Sequence, residues 1–457
     1  MLTHMIALLV AALNLMPCTY GGTAAQCGSL AVPENRSVSH GRLIALHFVV
    51  VRSKTTSPKE PVFGIAGGPG QSAMDTFRNG FAASPFFATL LRDRDIVMLD
   101  QRGTGASHPL NCDLFPTDAA TYRSLFPLDS IRRCRARLSR SSDLDAYGSD
   151  AAADDLDVVR AALGYSKIVI FSGSYGSTET LVYMRRHGDR VAAALMEGVA
   201  PPWLLLPLPF PRGAQRALDD LERSCATDAV CSARFPHFSA EFDALVARSK
   251  SGIPVHGGAI SFEVFADRMR QSMYDSYTAS YLPLIVHRAA AGDTEPLRKL
   301  VAWLSHSIPG SLAIGMNLSV TCSESLAFIT AAQARDASAG TFMGDSRYRA
   351  QRAACVVWNV KPVSRSFLEP IRSSAPVLMM DGAADPAAPA QYGEQELSYL
   401  SNGNQIRIPH AGHDFGSECT LKIELQFLAS YDAKGLVVNC LQSEARPPFA
   451  TSLKGLF

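Results

Sequence analysis

Seven short apolar runs along the chain have the length of β-strands. They cover residues 43–51, 61–65, 95–99, 167–171, 191–196, 375–380 and 405–408. Most of these runs are apolar throughout, so we expect strands that are buried on both faces. Such strands are typical of a mostly parallel sheet with helices on both of its sides.

Helical patterns lie between these runs. Residues 151–163 have apolar positions at helical spacing and end at Gly164, a second helical stretch ends near residue 188, and a third covers about 420–431. Strands and helices that alternate in this way predict an α/β fold.

The alternation is interrupted in the middle of the chain. Prolines cluster just after residue 200, and residues 213–366 indicate helices without clear strands. We therefore predict a core in two parts, residues 26–200 and 371–457, with a helical cap inserted between them over 201–370.

The first 25 residues are treated as an N-terminal segment that precedes the core. Residues 5–17 are mostly apolar, about as long as the hydrophobic part of an export signal and too short to cross a bilayer. No Lys or Arg precedes them, and neither a cut after Ala25 nor one before Cys18 fits well. We expect export and no stable membrane insertion, with an ordinary apolar N-terminal segment as the alternative.

Composition and charge exclude some classes of function. Apolar residues make up 47% of the 457 residues, enough for a sizeable core, and 43 basic side chains are balanced by 42 acidic ones. This balance provides no electrostatic footprint for nucleic acid or for an anionic membrane. We therefore expect a small molecule or a peptide as the substrate.

The chain contains ten cysteines, an even number that is high for a cytosolic enzyme. No CxxC pair occurs, and no cysteine stands at metal-ligand spacing from a pair of histidines. Disulfide bonds in an oxidising compartment are the better interpretation, which predicts a secreted or periplasmic protein without a metal site. The sequence alone does not choose which cysteines pair.

The run 167–171 ends in a sharp turn that places a serine among small residues, 172–176 (SGSYG). A serine hydroxyl is a weak nucleophile and must be presented to a base. A tight strand–turn–helix element does this by pushing the side chain out at the top of the sheet, and it requires small flanking residues. Ser174 is therefore the candidate nucleophile, although Ser172 stands where glycine is usual.

A glycine-rich turn, residues 67–70 (GGPG), follows the run 61–65. Glycines let backbone N–H groups approach a ligand closely, and such a loop supplies one donor of an oxyanion hole in serine hydrolases of the α/β type. We predict the N–H of Gly68 as this donor, with Gly67 as the alternative, and the N–H of Tyr175 as the second donor. A plain turn is the competing interpretation.

Two late strand ends carry the acid and the base that a serine nucleophile needs. In the chain order nucleophile, acid, histidine, the candidates are Asp381 or Asp385 after one run and His410 or His413 after the next. We choose Asp385, because it lies in the turn beyond a glycine, and His413, because it lies deeper in its loop. The predicted triad is Ser174, Asp385 and His413.

Together these blocks resemble the secreted tripeptidyl and prolyl aminopeptidases, a branch of the α/β-hydrolases related to proline iminopeptidase. The resemblance rests on residues 67–72 (GGPGQS), 100–107 (DQRGTGAS), 173–176 (GSYG), 382–385 (GAAD) with Pro389, and 412–413 (GH). It implies an α/β-hydrolase fold with a cap and a TAP-like C-terminal region. The implied activity is that of a serine peptidase working through an acyl-enzyme, with no metal or organic cofactor.

The resemblance extends to the cysteines, where 321–324 (TCSE) and 355–358 (CVVW) match paired blocks of the secreted members. It implies five disulfide bonds, Cys18–Cys27, Cys112–Cys134, Cys225–Cys231, Cys322–Cys355 and Cys419–Cys440. The chain departs from the family at Ser172, at Glu197, where aspartate is more frequent, and at Ala388, where threonine is frequent. These departures weaken the transfer of substrate specificity but remove no member of the triad.

The resemblance also implies a substrate, a short peptide cleaved near its free N-terminus. An anion must then hold the α-ammonium group, and Glu197 and Glu324 are the candidates, with a structural or surface role as the alternative for both. A carboxylesterase or lactonase acting on small apolar esters would use the same triad without such a carboxylate. A non-catalytic binding protein on a hydrolase scaffold is the alternative from another class.

Overall fold

The computed structural model describes residues 13–307 and 311–456. In these residues the chain forms one nine-stranded sheet and a separate two-stranded hairpin. The strands are β1 (Leu15–Tyr20), β2 (Thr23–Pro33), β3 (Leu43–Val51), β4 (Lys59–Ile65), β5 (Arg94–Leu99), β6 (Ile168–Gly173), β7 (Val191–Glu197), β8 (Ile253–Val255), β9 (Gly258–Ile260), β10 (Val377–Gly382) and β11 (Gly403–Ile408).

The helices fall between and after these strands. They are α1 (Ala73–Arg78), α2 (Pro85–Leu90), α3 (Asp118–Thr121), α4 (Leu128–Leu138), α5 (Ser149–Ala162), α6 (Tyr175–His187), α7 (Phe210–Thr227), α8 (Ala229–Arg234), α9 (Phe238–Ser249), α10 (Phe262–Ser272), α11 (Ser276–Ala279), α12 (Leu282–Ala290), α13 (Glu295–Ser307), α14 (Ile314–Glu324), α15 (Ala331–Ser338), α16 (Ser346–Trp358), α17 (Gln391–Leu397) and α18 (Glu418–Ser430). Among them, none combines the length and the apolar character needed to cross a bilayer.

The large sheet has the strand order β1-β2-β3-β5-β4-β6-β7-β10-β11. The six strands from β5 to β11 in this order are parallel to one another. The first three strands pair antiparallel, and β3 is antiparallel to β5. The predicted mostly parallel sheet is therefore confirmed, and all seven predicted strands occur with ends within two residues of those expected.

The strands of the parallel part are apolar on both faces because both faces are covered. In β6, Ile168 and Ile170 pack into a core with α5 and α6, whereas Val169 and Phe171 pack into a core with α2 and α18. Successive side chains of a strand point to opposite faces. A strand that lies between two helical layers therefore needs an unbroken apolar run.

The predicted N-terminal segment, residues 1–25, requires a correction. Residues 1–12 lie outside the described residues, but β1 and the start of β2 lie within the segment and belong to the sheet. The bond Cys18–Cys27 ties these two strands together. Because β1 pairs with β2, the sheet includes residues from Leu15 onward. The first part of the core therefore begins before residue 26.

Between β7 and β10 the chain leaves the sheet and forms α7 to α16 together with the hairpin β8–β9. The hairpin was not predicted, because its two strands have only three residues each and lie between helices. These helices share one hydrophobic core with α4, which comes from the first part of the chain. We call the residues between β7 and β10 the insertion.

The five disulfide bonds that the resemblance implies are confirmed. Each of the ten cysteines is paired as expected, and the described residues contain no free cysteine. Disulfides form and persist in oxidising compartments and are rare in the cytosol.

A buried ion pair holds the segment that follows β5. The side chain of Arg102 has no exposed surface, and its Nε and Nη2 groups each donate to one oxygen of Asp155 in α5, both at 2.7 Å. Its Nη1 group donates to the carbonyl oxygens of Glu34, at 2.6 Å, and Ala146, at 2.8 Å. Arg102 therefore connects the loop after β5 to the end of β2 and to α5.

Replacing Asp155 with alanine should lower the free energy of unfolding by about 3–5 kcal/mol, because Arg102 would stay buried without its carboxylate. Asp154→Ala is a matched control one residue away. Asp154 contacts Arg186 and His187, and all three side chains are partly exposed, so the loss should be about 1 kcal/mol or less. Denaturant unfolding of both variants measures the difference. Equal losses of unfolding free energy would contradict a special contribution of the buried Arg102–Asp155 pair.

Candidate active site

Ser174 occupies the sharp turn between β6 and α6. Its backbone has φ 56° and ψ −128°, a conformation that non-glycine residues rarely adopt and that costs free energy. Hydrogen bonds hold it from both sides: its N–H donates to Glu197 O at 2.8 Å, and its carbonyl accepts the N–H of Ser177 at 2.9 Å. The turn therefore presents the Ser174 side chain at the carboxyl end of the parallel strands.

Small neighbours make this turn sterically feasible. A Cβ atom at Gly176 would lie only 2.8 Å from the carbonyl oxygen of Ile65, at the end of β4. Ser172 is fully buried, and its hydroxyl accepts a hydrogen bond from Thr180 Oγ1 at 2.8 Å. The serine that replaces the usual glycine therefore fits, because its polar atom has a partner on α6.

Asp385 and His413 form a hydrogen-bonded pair beside this turn. Asp385 Oδ2 lies 2.7 Å from His413 Nδ1, and Oδ1 accepts the N–H groups of Ala387, at 2.6 Å, and Ala388, at 2.9 Å. Because an ionised carboxylate only accepts hydrogen bonds, Nδ1 carries a proton. The carboxylate, whose side chain has no exposed surface, thereby sets the orientation of the imidazole.

The Glu197–Gly198 segment connects Ser174 with this pair. Glu197 accepts the N–H of Ser174, and a Cβ atom at Gly198 would lie 2.9 Å from His413 Cε1 and 3.7 Å from Asp385 Oδ2. Gly198 also has φ 56°, so both its backbone and the space beside it favour glycine.

In the described part of the chain, no hydrogen bond joins Ser174 Oγ to His413. Such catalytic hydrogen bonds are often long and tighten only when the substrate is in place. Ser174, Asp385 and His413 all lie beside the Glu197–Gly198 dipeptide. The transfer of a proton from Ser174 to His413 stays a prediction.

The two rejected candidates have other partners. Asp381, in β10, accepts the N–H of Val199 and the side-chain amide of Gln405, each at 2.7 Å. The carbonyl of His410 accepts the hydroxyl of Ser276 at 2.7 Å. These contacts give Asp381 and the His410 backbone roles in holding neighbouring segments together.

The turn of residues 67–70, which we call the glycine loop, lies against the nucleophile. A Cβ atom at Gly67 would be 3.0 Å from Ser174 Cβ. Among the described residues, the N–H groups of Gly68 and Tyr175 have no hydrogen-bond acceptor, as oxyanion donors require. The assignment of these two donors stays a prediction.

The charge of Asp385 controls the protonation of His413. Burial acts to lower the pKa of the imidazole, but the Asp385 carboxylate and, to a smaller extent, Asp414 outweigh it and raise the pKa to about 9. Burial acts to raise the pKa of Asp385, yet His413 and the two backbone N–H groups hold that pKa below its usual value. At neutral pH the pair is therefore an ion pair.

This ion pair predicts an alkaline activity profile. His413 must be neutral to accept the Ser174 proton, so kcat/KM should rise with pH until about pH 9. Below that pH the rate should fall about tenfold per pH unit, to about 100-fold under the plateau at pH 7. A pH–rate profile with a non-titrating substrate measures this, and a profile already flat from pH 7 would contradict it.

The same shift determines how the pair affects stability. The folded state raises the pKa of His413 above its ordinary value, so it binds the proton more tightly than the unfolded chain does. The resulting stabilisation is fully present below about pH 6.5 and is lost as the pH rises through about 9.

The two carboxyl groups suggested for binding a substrate ammonium both have protein partners. Glu324 is 3% exposed, and its oxygens accept Ser149 N–H at 2.6 Å and Ser149 Oγ–H at 2.7 Å. Burial raises the pKa of Glu197 to about 7 and that of the neighbouring Glu424 carboxyl of α18 to about 10. The geometry favours the structural alternative for Glu324, whose two oxygens are both occupied by Ser149, and burial disfavours a charged carboxylate at Glu197.

Two residues of the insertion reach the site without having been predicted. The ring of Tyr274 lies 4.9 Å from that of His413, and its carbonyl accepts the N–H of Asp414 at 2.8 Å. Asn317, in α14, donates from Nδ2 to the carbonyl oxygen of Pro69 in the glycine loop, at 3.0 Å. Neither residue stands in a motif, so only their positions in space identify them.

Two family descriptions match the chain. The first, α/β hydrolase fold, matches residues 60–228, which include the glycine loop and Ser174. The second, TAP-like protein, matches residues 341–440, which include Asp385 and His413. The two matched segments lie on either side of most of the insertion.

Curated relatives share part of the sequence. A serine protease, Hip1, of Mycobacterium tuberculosis is 29% identical over 45% of this chain and 42% of its own length. A proline iminopeptidase of Neisseria gonorrhoeae is 32% identical over 30% of this chain and 32% of its own, and a tripeptidyl aminopeptidase of Streptomyces coelicolor is 28% identical over 39% and 35%. The matched segments thus span less than half of each relative.

Proposed function

We propose that the chain, which has the α/β-hydrolase fold, is a serine hydrolase that works through an acyl-enzyme. The observation that carries the proposal is the His413–Asp385 pair, 2.7 Å apart, beside the strained turn of Ser174. A base held in one tautomer by a buried carboxylate is what activates a serine hydroxyl.

In this mechanism His413 takes the proton of Ser174 as the hydroxyl oxygen attacks the substrate carbonyl. The charge that develops on the carbonyl oxygen is stabilised by the N–H groups of Gly68 and Tyr175, each contributing on the order of 3 kcal/mol. His413 then donates the proton to the leaving group, and a water molecule hydrolyses the acyl-enzyme by the same steps. Asp385 stabilises the imidazolium throughout.

For the substrate, the proposal is a short peptide from which residues are released at the N-terminus. Its support is that the matched relatives are a serine protease, a proline iminopeptidase and a tripeptidyl aminopeptidase. An insertion that contacts both His413 and the glycine loop suits a site open to short chains only.

A carboxylesterase or lactonase is the second candidate, and one observation favours it. Neither carboxyl group considered for ammonium recognition is suited to it, because Glu324 accepts two hydrogen bonds from Ser149 and burial raises the pKa of Glu197 to about 7. A site for small apolar esters needs no such carboxylate, and the same triad would cleave them.

Matched chromogenic substrates separate the two candidates. The purified enzyme would be given aminoacyl and tripeptidyl p-nitroanilides, each with a free and with an acetylated N-terminus, and short acyl p-nitrophenyl esters, with Ser174→Ala as the blank. The peptidase proposal expects amide turnover that falls at least tenfold on acetylation. Turnover of the esters with none of the amides would replace it by the esterase.

We also propose that the protein acts outside the cytosol, as a secreted or periplasmic enzyme. The five disulfide bonds support this, because thiols of cytosolic proteins are kept reduced. Fractionation of the producing cells, with maleimide labelling before and after reduction, tests it. A cytosolic protein with ten alkylatable thiols would contradict it.

A further inference from the structure

The insertion holds the glycine loop by a backbone β-bridge just before α14 and by one side-chain hydrogen bond from α14. The N–H of Ala313 donates to Gly70 O at 2.9 Å, and Leu312 forms a β-bridge with Gln71. One turn further, Asn317 Nδ2 donates to Pro69 O at 3.0 Å. Asn317 supplies the one side chain in this set, and it is 7% exposed.

The geometry of the loop makes this side chain important. Gly68 has φ 112°, a conformation available to glycine, and glycine has few intrinsic restraints on its backbone. The Gly68 N–H belongs to the Gly67–Gly68 peptide, whose carbonyl accepts the N–H of Gln71 at 3.3 Å. Asn317 holds the Pro69 carbonyl, two peptide groups further along, so it acts on the orientation of the Gly68 N–H through the backbone of Pro69.

The other end of the loop is anchored to the core of the fold. Ser72 Oγ donates to Asp100 Oδ1 at 2.6 Å, and the N–H of Met74 donates to the same oxygen at 3.0 Å. The glycine loop is thus held between Asp100, after β5, and Asn317, on the insertion. Without the Asn317 side chain the loop keeps its bonds to Asp100 and its backbone bridge to Leu312, but the Pro69 carbonyl loses its hydrogen-bond donor.

We propose that Asn317 is a positioning residue that aims the Gly68 N–H at the developing oxyanion, so that the insertion takes part in transition-state stabilisation. The inference rests on the proposed serine-hydrolase function. The bond from Gly68 strengthens as negative charge develops on the substrate oxygen, so its loss lowers kcat and changes KM little. A displacement of about 1 Å in such a donor costs on the order of 10²-fold in rate.

The test compares Asn317→Ala and Asn317→Ser with Thr321→Val. Thr321 lies one turn further along α14 and is 6% exposed. Its hydroxyl donates to the Asn317 carbonyl at 2.7 Å, and among the described residues it makes no hydrogen bond to the glycine loop. We expect Asn317→Ala to lower kcat about 10²-fold with KM within threefold, and Thr321→Val to keep kcat within threefold. We expect Asn317→Ser to keep more of kcat than Asn317→Ala does if its hydroxyl donates to the Pro69 carbonyl.

A second readout reports the oxyanion hole itself. A peptide boronic acid forms a tetrahedral adduct with the nucleophile, whereas the product peptide does not. Asn317→Ala should weaken boronate binding about as much as it lowers kcat and leave product binding unchanged. The proposal would be overturned if Asn317→Ala weakened the binding of the boronate and of the product peptide equally, or if its kcat stayed within threefold of that of the unsubstituted enzyme.

The remaining outcomes are also decisive. If both Asn317 variants unfold under conditions where Thr321→Val stays folded, the residue has a structural role only and the proposal is wrong. If the unsubstituted enzyme turns over no ester or amide and its Ser174 is not labelled by a fluorophosphonate, the proposed function itself fails. That result is separate from a failure of the Asn317 inference, which requires an active parent enzyme.

Discussion

Ser174→Ala should lower kcat about 10⁶-fold, because the acyl-enzyme cannot form without the hydroxyl oxygen. Binding of the product peptide should change little, since the substitution removes only the side-chain oxygen and keeps the backbone hydrogen bonds of residue 174 to Glu197 and Ser177. The measurement is kcat on the best substrate of the chromogenic set, with mass spectrometry of fluorophosphonate-treated enzyme to locate the label.

Ser172→Gly is the matched control for this substitution. It restores the usual glycine two residues before the nucleophile and removes only the buried contact with Thr180. We expect activity within a few-fold of the unsubstituted enzyme and normal labelling at Ser174. An enzyme that hydrolyses nothing and is not labelled would instead support a binding protein on a hydrolase scaffold.

Asp385→Asn should reduce kcat about 10⁴-fold while the fold is retained. Asparagine has nearly the same shape, but it brings an amide N–H group that competes for His413 Nδ1 and favours the wrong tautomer. It also removes the negative charge that raises the pKa of His413 to about 9. The residual activity should therefore lose its alkaline dependence, which a pH–rate profile detects and a merely structural role would not alter.

Asp381→Asn is the control, since it makes the same chemical change at a buried position four residues earlier. Burial raises the pKa of Asp381 to about 7, against hydrogen bonds from Gln405 and Val199 that lower it, so a neutral side chain is tolerated there. We expect kcat within tenfold of the unsubstituted enzyme. If Asp381→Asn were the more damaging of the two, the acid of the triad would be assigned to the wrong aspartate.

Several features of the site could be predicted because they depend on local chemistry. The turn around Ser174 is visible as an apolar run that stops at small residues, and Asp385 and His413 follow runs that became β10 and β11. Parallel strands bring their carboxyl ends to one edge of a sheet, so residues after such runs meet there. The order of the residues along the chain then assigned their roles.

Other features could not be predicted because they depend on contacts between distant segments. Glu324 looked like a candidate for ammonium binding, yet it accepts two hydrogen bonds from Ser149, and no local pattern pairs these residues. The apolar stretch before residue 17 resembled part of an export signal, but from Leu15 it pairs with β2. An apolar run of this length has the same composition in an export signal and in a β-strand, so composition does not distinguish them.

Periodicity and turn chemistry act over a few residues, so the strands, the turn of Ser174 and the candidates for the acid and the base could be predicted from the order of residues. Which groups hold the site in place became visible only once the chain was folded. Tyr274 reaches His413 and Asn317 reaches the glycine loop across more than a hundred residues of chain. Such contacts follow from how helices pack on a sheet, and packing has no signature in the local order of residues.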